Sequence, residues 1–430
     1  MATTKSNEAW KKILSDYSVL KEIDDKGYFY ITSKTINKYR EARLMAKWDT
    51  YESLPKSLKE NAINILPVKN RAYILGRFDM YKELPEFQTS SKGIKSVTVP
   101  YFETINIDNI NSESNAINVL LITNILSDFL NEKDPIQTFN GRMGSGVFDF
   151  NINTFDEKGY LNISVESAQI EIDAGFETNE SVTIMEAKNV INNNMNIRQL
   201  YYPYRLWRSK VRKPIRNVFS IYSNKVYKLL EYEFTDPKDF SSIRLIKEAD
   251  YSLEDTTITL EDILNVHKNI KPFIDEDNFK NGYPTPQANS ISKLISLMEI
   301  LYDGPKSKDE IAELMEFDVR QADYYFNAGR YLQIMEYTEE DGQTLRTLSQ
   351  VGIKLLDGSY RHRQLTMVSL LFEHHLFHEL FKISYPTGKL NKNDILNAME
   401  KYNSRENLTT RSRRSSTISK WIEWIYTLVN

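Results

Sequence analysis

Residues 169–188 read Gln169-Ile-Glu-Ile-Asp-Ala-Gly-Phe-Glu177, then Thr178-Asn-Glu180, then Ser181-Val-Thr-Ile-Met-Glu-Ala-Lys188. In the first run Gln169, Glu171 and Asp173 alternate with Ile170 and Ile172, the two-residue period of a strand with one polar and one buried face. In the second, Glu186 and Lys188 stand two apart and share a face, while Met185 and Ala187 point the other way. Paired as a hairpin around Glu177-Thr-Asn-Glu180, the two strands bring Asp173 and Glu186 together at one end of a sheet. Two carboxylates plus a backbone carbonyl suit a hard divalent cation such as Mg²⁺. A lysine beside them can orient and help deprotonate an attacking water while the metal stabilises charge on a phosphate. The plain alternative is a solvated strand face laced by ion pairs, since Glu and Lys are ordinary exposed-strand residues.

The flanks predict a layered plan. Residues 116–130 carry the period of an amphipathic helix, and residues 147–155, 161–176 and 181–187 are strand-like. A helix over residues 194–210 follows, which Pro203 is placed to kink or interrupt. Two more strands follow over residues 215–222 and 226–234. Helix, three strands, helix, two strands is an α/β arrangement.

The spacing Asp173, twelve residues, Glu186-Ala-Lys188, with this order of elements, resembles the PD-(D/E)XK nuclease superfamily. The proline that names the motif is missing, since Ile172 precedes Asp173. The resemblance implies a restriction-endonuclease-like core, a mixed sheet flanked by helices, with Asp173 and Glu186 as metal ligands, Lys188 as the water-orienting residue and Mg²⁺ as cofactor. It also implies a site-lining role for Gln199, with Glu171 beside the site, and a further helix carboxylate, for which Asp128 and Glu132 both stand open.

Charge is unevenly distributed. The chain has 430 residues, a net charge of −4 and 41% hydrophobic residues, enough for more than one core. Without a whole-chain basic excess, a nucleic-acid partner has to be sought in clusters. Residues 198–216 hold Arg198, Arg205, Arg208, Lys210, Arg212, Lys213 and Arg216 without one carboxylate; residues 409–420 hold Arg411, Arg413, Arg414 and Lys420, again without an acid. Arg198, Tyr202 and Arg205 lie at i, i+4 and i+7, one helical face able to run along a phosphate backbone, with Leu200, Tyr201, Tyr204 and Trp207 as core on the other. Phe139-Asn-Gly-Arg-Met-Gly-Ser-Gly146 reads as a glycine-rich loop entering a strand. It is either a close approach of backbone and Arg142 to a phosphate or a simple tight turn.

Further along, residues 291–301 form an apolar-striped helix, Ser307-Lys-Asp-Glu310 a capping box opening a second, and Asp318 a cap for a third over residues 319–329. Residues 331–337 and 344–348 make a hairpin around Asp341-Gly342. Three helices and a two-stranded wing resemble a winged helix-turn-helix, which implies that Arg320, Gln321, Tyr324 and Asn327 face DNA; a wing used for protein contacts is the alternative. Helices are expected over residues 365–381, 393–401 and 410–426. The last is basic at its start and apolar at Trp421, Trp424 and Ile425, suiting a second helix-turn-helix with Arg411, Arg413 and Arg414 on DNA. His374 and His378 are one turn apart, but their Leu- and Phe-rich surroundings argue a packed helix over a metal site.

At the N-terminal end, Tyr28-Phe-Tyr-Ile31 reads as a strand, residues 33–48 as a basic helix, and residues 62–78 as a strand pair turning near Lys69-Asn-Arg71. Residues 32–49, with Asn64-Ile-Leu-Pro67 and Tyr73-Ile-Leu-Gly76, resemble the N-terminal region of a set of type II restriction endonuclease-like bacterial proteins. That likeness makes Lys34, Lys38, Arg40, Arg43 and Lys47 DNA contacts; otherwise they are a solvated face. Residues 100–114 and 275–290 read as linkers.

There is no cysteine, hence no thiolate site or disulfide, and no apolar run reaches a membrane span of about 18 residues. A cytoplasmic protein without a membrane partner is expected. The reading is a multidomain α/β (α+β) chain: residues 1–100 for DNA recognition, 115–273 a nuclease core, 288–358 a winged helix and 359–430 a second helical DNA-binding region. The function it implies is type II restriction-like, Mg²⁺-dependent cleavage of double-stranded DNA at or near a short site. A cognate methyltransferase acting without a stable complex, and a homodimer, stay open. The alternatives are a non-catalytic winged-helix regulator and a repair or nicking nuclease of the same fold.

Overall fold

The computed structural model describes residues 5–87, 93–99, 102–107, 110–155, 159–273, 285–385, 387–402 and 406–429. Most of the second expected linker (275–284), with residues 100–101 and 108–109 of the first, lies outside the described residues.

Helices Lys5–Asp16 (α1) and Val19–Lys26 (α2) bury Trp10, Ile13, Val19 and Ile23 against strand Tyr28–Thr32 (β1). The basic helix expected over residues 33–48 is only Ser33–Ile36 (α3). The Asn37 side chain accepts the Ala42 N–H at 2.7 Å, so the chain turns there instead of continuing the helical ladder. Lys56–Lys59 (α4) precedes Asn64–Lys69 (β2) and Ala72–Gly76 (β3), which pair antiparallel as expected, with Arg71 in the left-handed region at the turn. Tyr81–Glu83 (β4) and Ile94–Ser96 (β5) follow.

The helix expected over residues 116–130 is two, Glu113–Ile122 (α5) and Ile125–Leu130 (α6). The Thr123 hydroxyl bonds back to the Val119 carbonyl at 2.6 Å and Asn124 adopts φ +56°, which ends the first helix. The glycine-rich segment read as a loop lies mostly in strand Ile136–Gly144 (β6). Val147–Asn153 (β7) is as expected, but the run 161–176 splits into Tyr160–Glu166 (β8) and Gln169–Glu177 (β9) at Ser167, φ +54°. Val182–Lys188 (β10), Asn194–Asn196 (β11), helix Arg198–Arg208 (α7), Ile215–Ser223 (β12), Val226–Phe234 (β13) and Ile243–Ser252 (β14) complete the centre. The helix thus starts later than expected, and β14 is an element the sequence reading missed. A seven-stranded sheet runs β5-β14-β13-β12-β10-β9-β6, with β10 parallel to β12 and antiparallel to β9. The β7–β8 hairpin leaves it to join β1-β3-β2-β8-β7.

After Leu260–Asn269 (α8), Ile291–Tyr302 (α9), Lys308–Leu314 (α10) and Val319–Tyr331 (α11) lead into the hairpin Met335–Glu340 (β15) and Gln343–Leu348 (β16), the three helices and two-stranded wing expected. The Ser307–Glu310 capping box and the Asp318 cap are both formed. Gln350–Leu356 (α12) follows. The single helix expected over 365–381 is Tyr360–Phe372 (α13) and His375–Ser384 (α14), broken where His374 is extended. Lys392–Tyr402 (α15) and Leu408–Thr427 (α16) end the described chain. The described part of the expected linker, residues 285–290, is packed: the Trp421 indole donates to the Ala288 carbonyl at 2.7 Å. Likewise Ile110 is buried. Among the described residues no helix is long and apolar enough to cross a membrane.

Candidate functional site

The β9–β10 hairpin forms as expected, Val182 opposite Glu177 through Met185 opposite Ala174, closed by the Thr178 N–H on the Ser181 carbonyl at 3.0 Å. One step on, the same register sets Asp173 beside Glu186, and Asp173 Oδ2 accepts the Ala187 N–H at 2.8 Å. On β10, Met185 and Ala187 enter the core beneath α5 and α6, while Ile184 enters the core shared with α7. Glu186 and Lys188 fall on the Ile184 side by the two-residue period. All seven residues of β10 are buried; Glu186 is 6% and Lys188 8% exposed. A solvated strand face is therefore excluded.

Helix α7 completes this side. Its first turn presents Gln199, whose amide donates to Glu186 Oε1. Pro203 lies inside α7 without breaking it, its missing N–H withholding the hydrogen bond that the Gln199 carbonyl would otherwise receive. The helix is anchored beneath by Tyr201 and Tyr202 among Phe148, Phe150 and Phe240.

The Lys188 ammonium lies 3.3 Å from Glu186 Oε1, 3.5 Å from Glu316 Oε1 and 3.6 Å from Asp49 Oδ2. Burial alone would pull its pKa down, but Glu316, Glu186, Asp49 and Glu113 hold it well above the usual lysine range. Burial pushes the carboxyls of Glu186, Asp173 and Glu316 up, and that of Glu113 to about 6. Asp49 alone stays below the ordinary range: burial opposes ionisation there, and Lys188, Lys47 and Arg198 overcome it. Five carboxyls thus gather around one buried ammonium, and burial disfavours the ionised form of four of them.

That donor set fits a hard divalent cation in chemistry: every donor is oxygen, and Asp49 Oδ1 and Gln199 Oε1 are buried without a hydrogen-bond partner among the described residues. Among the described residues no three His, Cys, Asp or Glu side chains are already drawn together as a ligand cluster. The carboxylates are turned instead on Lys188, on Gln199 and on backbone.

The helix carboxylate near the site is Glu113, the first residue of α5, and neither of the two expected. Asp128 is taken by Lys95 at 2.7 Å and the Tyr251 hydroxyl at 2.6 Å, Glu132 by Ser181 at 2.7 Å and Arg216 at 2.8 Å. Sequence reasoning missed Glu113 because it sought the acid on the apolar body of a helix it took to begin at 116. Asp49 and Glu316 carried no local signal, one preceding a turn and the other joining two helices. Tertiary hydrogen bonds bring them in. The Asn196 N–H donates to the Asp49 carbonyl at 2.9 Å, and the Thr50 hydroxyl to the Glu316 carbonyl at 2.5 Å.

The expected nucleic-acid contacts divide. Tyr202 is buried with its hydroxyl on the Pro67 carbonyl at 2.9 Å, and Arg205 is spent on the Asp149 carbonyl (2.9 Å) and the Tyr201 hydroxyl (2.8 Å). Arg198, Tyr202 and Arg205 therefore do not form an open phosphate track, because the aromatic face packs inward. The exposed cations of that run, Arg208, Lys210 and Arg212, sit near Ile215, at the end of the sheet away from Lys188, about 20 Å along the strand. Arg414 is buried against Glu406, and Arg411 lies 3.7 Å from Glu400; Arg413 is exposed. Arg320 and Asn327 are exposed, Gln321 and Tyr324 half-buried. Lys34, on α3, is exposed; past the end of that helix Lys38 and Arg43 are exposed and Arg40 half-buried. Near the site itself, Arg142 on β6 lies 3.2 Å from Glu171, Lys47 lies 3.9 Å from Glu171 and 3.7 Å from Asp49, so alternating charges run from β6 to Lys188. His374 stacks on Tyr331 and His378 on His267.

Three family models match the chain, each described as a domain of unknown function: DUF6996 over residues 7–75, DUF6997 over 76–252 and DUF7226 over 293–430. Comparison with curated proteins gives no match. Comparison with solved structures also gives none. The three carboxylates on Lys188 come one from each matched segment: Asp49, Glu186 and Glu316.

Proposed function

We propose that the protein is a Mg²⁺-dependent endonuclease that hydrolyses phosphodiester bonds of double-stranded DNA, in the manner of a type II restriction enzyme. The observation that carries the reading is the meeting of Asp173, Glu186, Lys188 and Gln199 on the β9–β10–α7 corner, with Glu113 within electrostatic reach of Asp173 and Lys188. Asp173 and Glu186 would hold the cation, with Glu113 as the added carboxylate. Bound there, Mg²⁺ would supply Lewis-acid stabilisation of the charge that develops on the phosphate and make water a better nucleophile. Lys188 orients the water and neutralises the non-bridging phosphate oxygen. Gln199 fixes the Glu186 carboxylate through its amide. Arg142 and Lys47 line the approach, and Arg320, Asn327 and Arg413 offer exposed polar groups to the duplex farther out.

Supercoiled plasmid incubated with Mg²⁺ should give nicked or linear product, and the same mixture with EDTA none. E186Q and K188M should lower the rate by about two to four orders of magnitude while retaining DNA binding in a mobility-shift assay. Cleavage kept by both variants would refute the site assignment. The burial of Lys188 favours a second reading, a DNA-binding regulator, for which the assay would record binding and no metal-dependent product.

A further inference from the structure

The proposed chemistry turns on Lys188, which here is buried against carboxylates. Lys188 is 8% exposed, and its ammonium faces three carboxylates, as many as the hydrogens it can donate. Glu186 belongs to the same hairpin; Asp49 and Glu316 come from outside the central sheet. A carboxylate resembles a phosphodiester in charge and in the oxygens it offers an ammonium, so these two stand where a substrate oxygen would bind.

Glu316 is placed to move. It joins α10 to α11 in the left-handed region, φ +52°, a conformation that non-glycine residues hold only under tertiary constraint. The constraint is visible: the Thr50 hydroxyl donates to its carbonyl at 2.5 Å and the Asn192 amide to its Oε2 at 3.1 Å. Two residues on, Asp318 caps α11, accepting the Arg320 N–H at 2.8 Å. The link on Lys188 is thus the entry to the helix whose Arg320 and Asn327 are exposed. Beside it opens a cleft of about 1250 Å³, flanked by Glu113 and Glu316, whose lining also holds the cations Lys225, Lys306 and Arg363 among a larger number of carboxylates. Carboxylates outnumber cations along it, so this side favours a phosphate backbone less than the side of Lys47 and Arg142 does.

We propose that Glu316 is an autoinhibitory latch: in the DNA-free protein it occupies Lys188, and seating α11 on duplex DNA draws the 315–318 link away and releases Lys188 to the scissile phosphate. Sequence reading and cutting are thereby coupled through one short turn. The latch rests on the nuclease reading, and its test separates the two.

Plasmid cleavage in Mg²⁺ is compared for the wild type, E316Q and T50V, alongside backbone hydrogen exchange of the wild type with and without duplex DNA in EDTA. E316Q is expected to cut about five- to a hundredfold faster, the range of coupling between linked sites; T50V, which keeps the carboxylate and loses its anchor, should rise less. DNA should speed exchange of the Glu316 and Phe317 amides, which are bonded to the Glu313 and Ala312 carbonyls at 3.2 and 3.1 Å. If E316Q cuts no faster than an active wild type, the latch is wrong and the nuclease reading stands. If none of the proteins cuts but exchange at the link rises on DNA, the moving turn is supported and the nuclease reading falls. Exchange unchanged by bound DNA overturns the latch in either case. Should E316Q fail to fold, T50V decides by the same signs.

Discussion

At Gly175 the ring of Phe139 from β6 occupies the place a side chain would fill, and that ring stacks on Trp207 at 3.9 Å. G175A should therefore lose about 1–3 kcal/mol to overpacking, read as a lower urea midpoint; an unchanged midpoint would mean that β6 does not lie on β9 as described. His374 gives a pH signature. Burial holds its imidazole pKa down at about 3 while its ring stacks on Tyr331, against about 6.5 in an unfolded chain. The unfolded state therefore takes the proton first. Stability is full above the unfolded value and lost as pH falls from about 6.5 toward 3, at about 1.4 kcal/mol per pH unit from this group. Denaturation midpoints between pH 7 and pH 5 should fall for the wild type and fall less for H374F; equal slopes would remove His374 from the account.

Among the elements, α16 shows how a basic run divides between solvent and core. Arg414 and Glu406 are 8% and 13% exposed and paired, whereas Arg413, one residue away, faces water. R414A should destabilise the fold by on the order of 3 kcal/mol, because it strands a buried carboxylate. R413A should leave the melting temperature unchanged and weaken DNA binding with a shallower salt dependence. Affinity and salt slope unaffected by R413A would take α16 out of the interface. Helix α7 follows the same logic in reverse. Its Arg and Tyr at helical spacing suggest a phosphate track from sequence, but seven of its residues are buried, because an aromatic stripe lowers free energy more by burial than by lying on water.

For the whole molecule, one apolar core extends from Leu66 and Ile74 through the α7 face of the central sheet into α9–α16. Glu299 of α9 seals the junction, accepting from the Ser223 hydroxyl at 2.6 Å and the Asn224 N–H at 2.9 Å. Residues 293–430 are therefore part of the packing of the central sheet. Deleting them should leave a remainder that aggregates or melts at least about 10 °C lower, a loss of roughly 3 kcal/mol or more; a soluble remainder with the wild-type melting temperature would contradict a shared core.

Local chemistry was enough for much of this. Alternation fixed the faces of β9 and β10, the capping box and Asp318 located α10 and α11, and Asp341-Gly342 located the wing, since period, caps and turn residues act over a few positions. Asp173, Glu186, Lys188 and Gln199 could be gathered on paper because they lie within one short stretch of neighbouring elements. Tertiary structure alone decided that Glu113 and not Asp128 faces them, that Tyr202 and Arg414 are interior, and that Asp49 and Glu316 close on Lys188. The closing of Asp49 and Glu316 on Lys188 and the burial of Tyr202 depend on hydrogen bonds between residues more than a hundred positions apart, such as Thr50 to Glu316, Asn196 to Asp49 and Tyr202 to Pro67. Contacts over such separations leave no trace in the spacing of neighbours, because only folding brings their partners within reach.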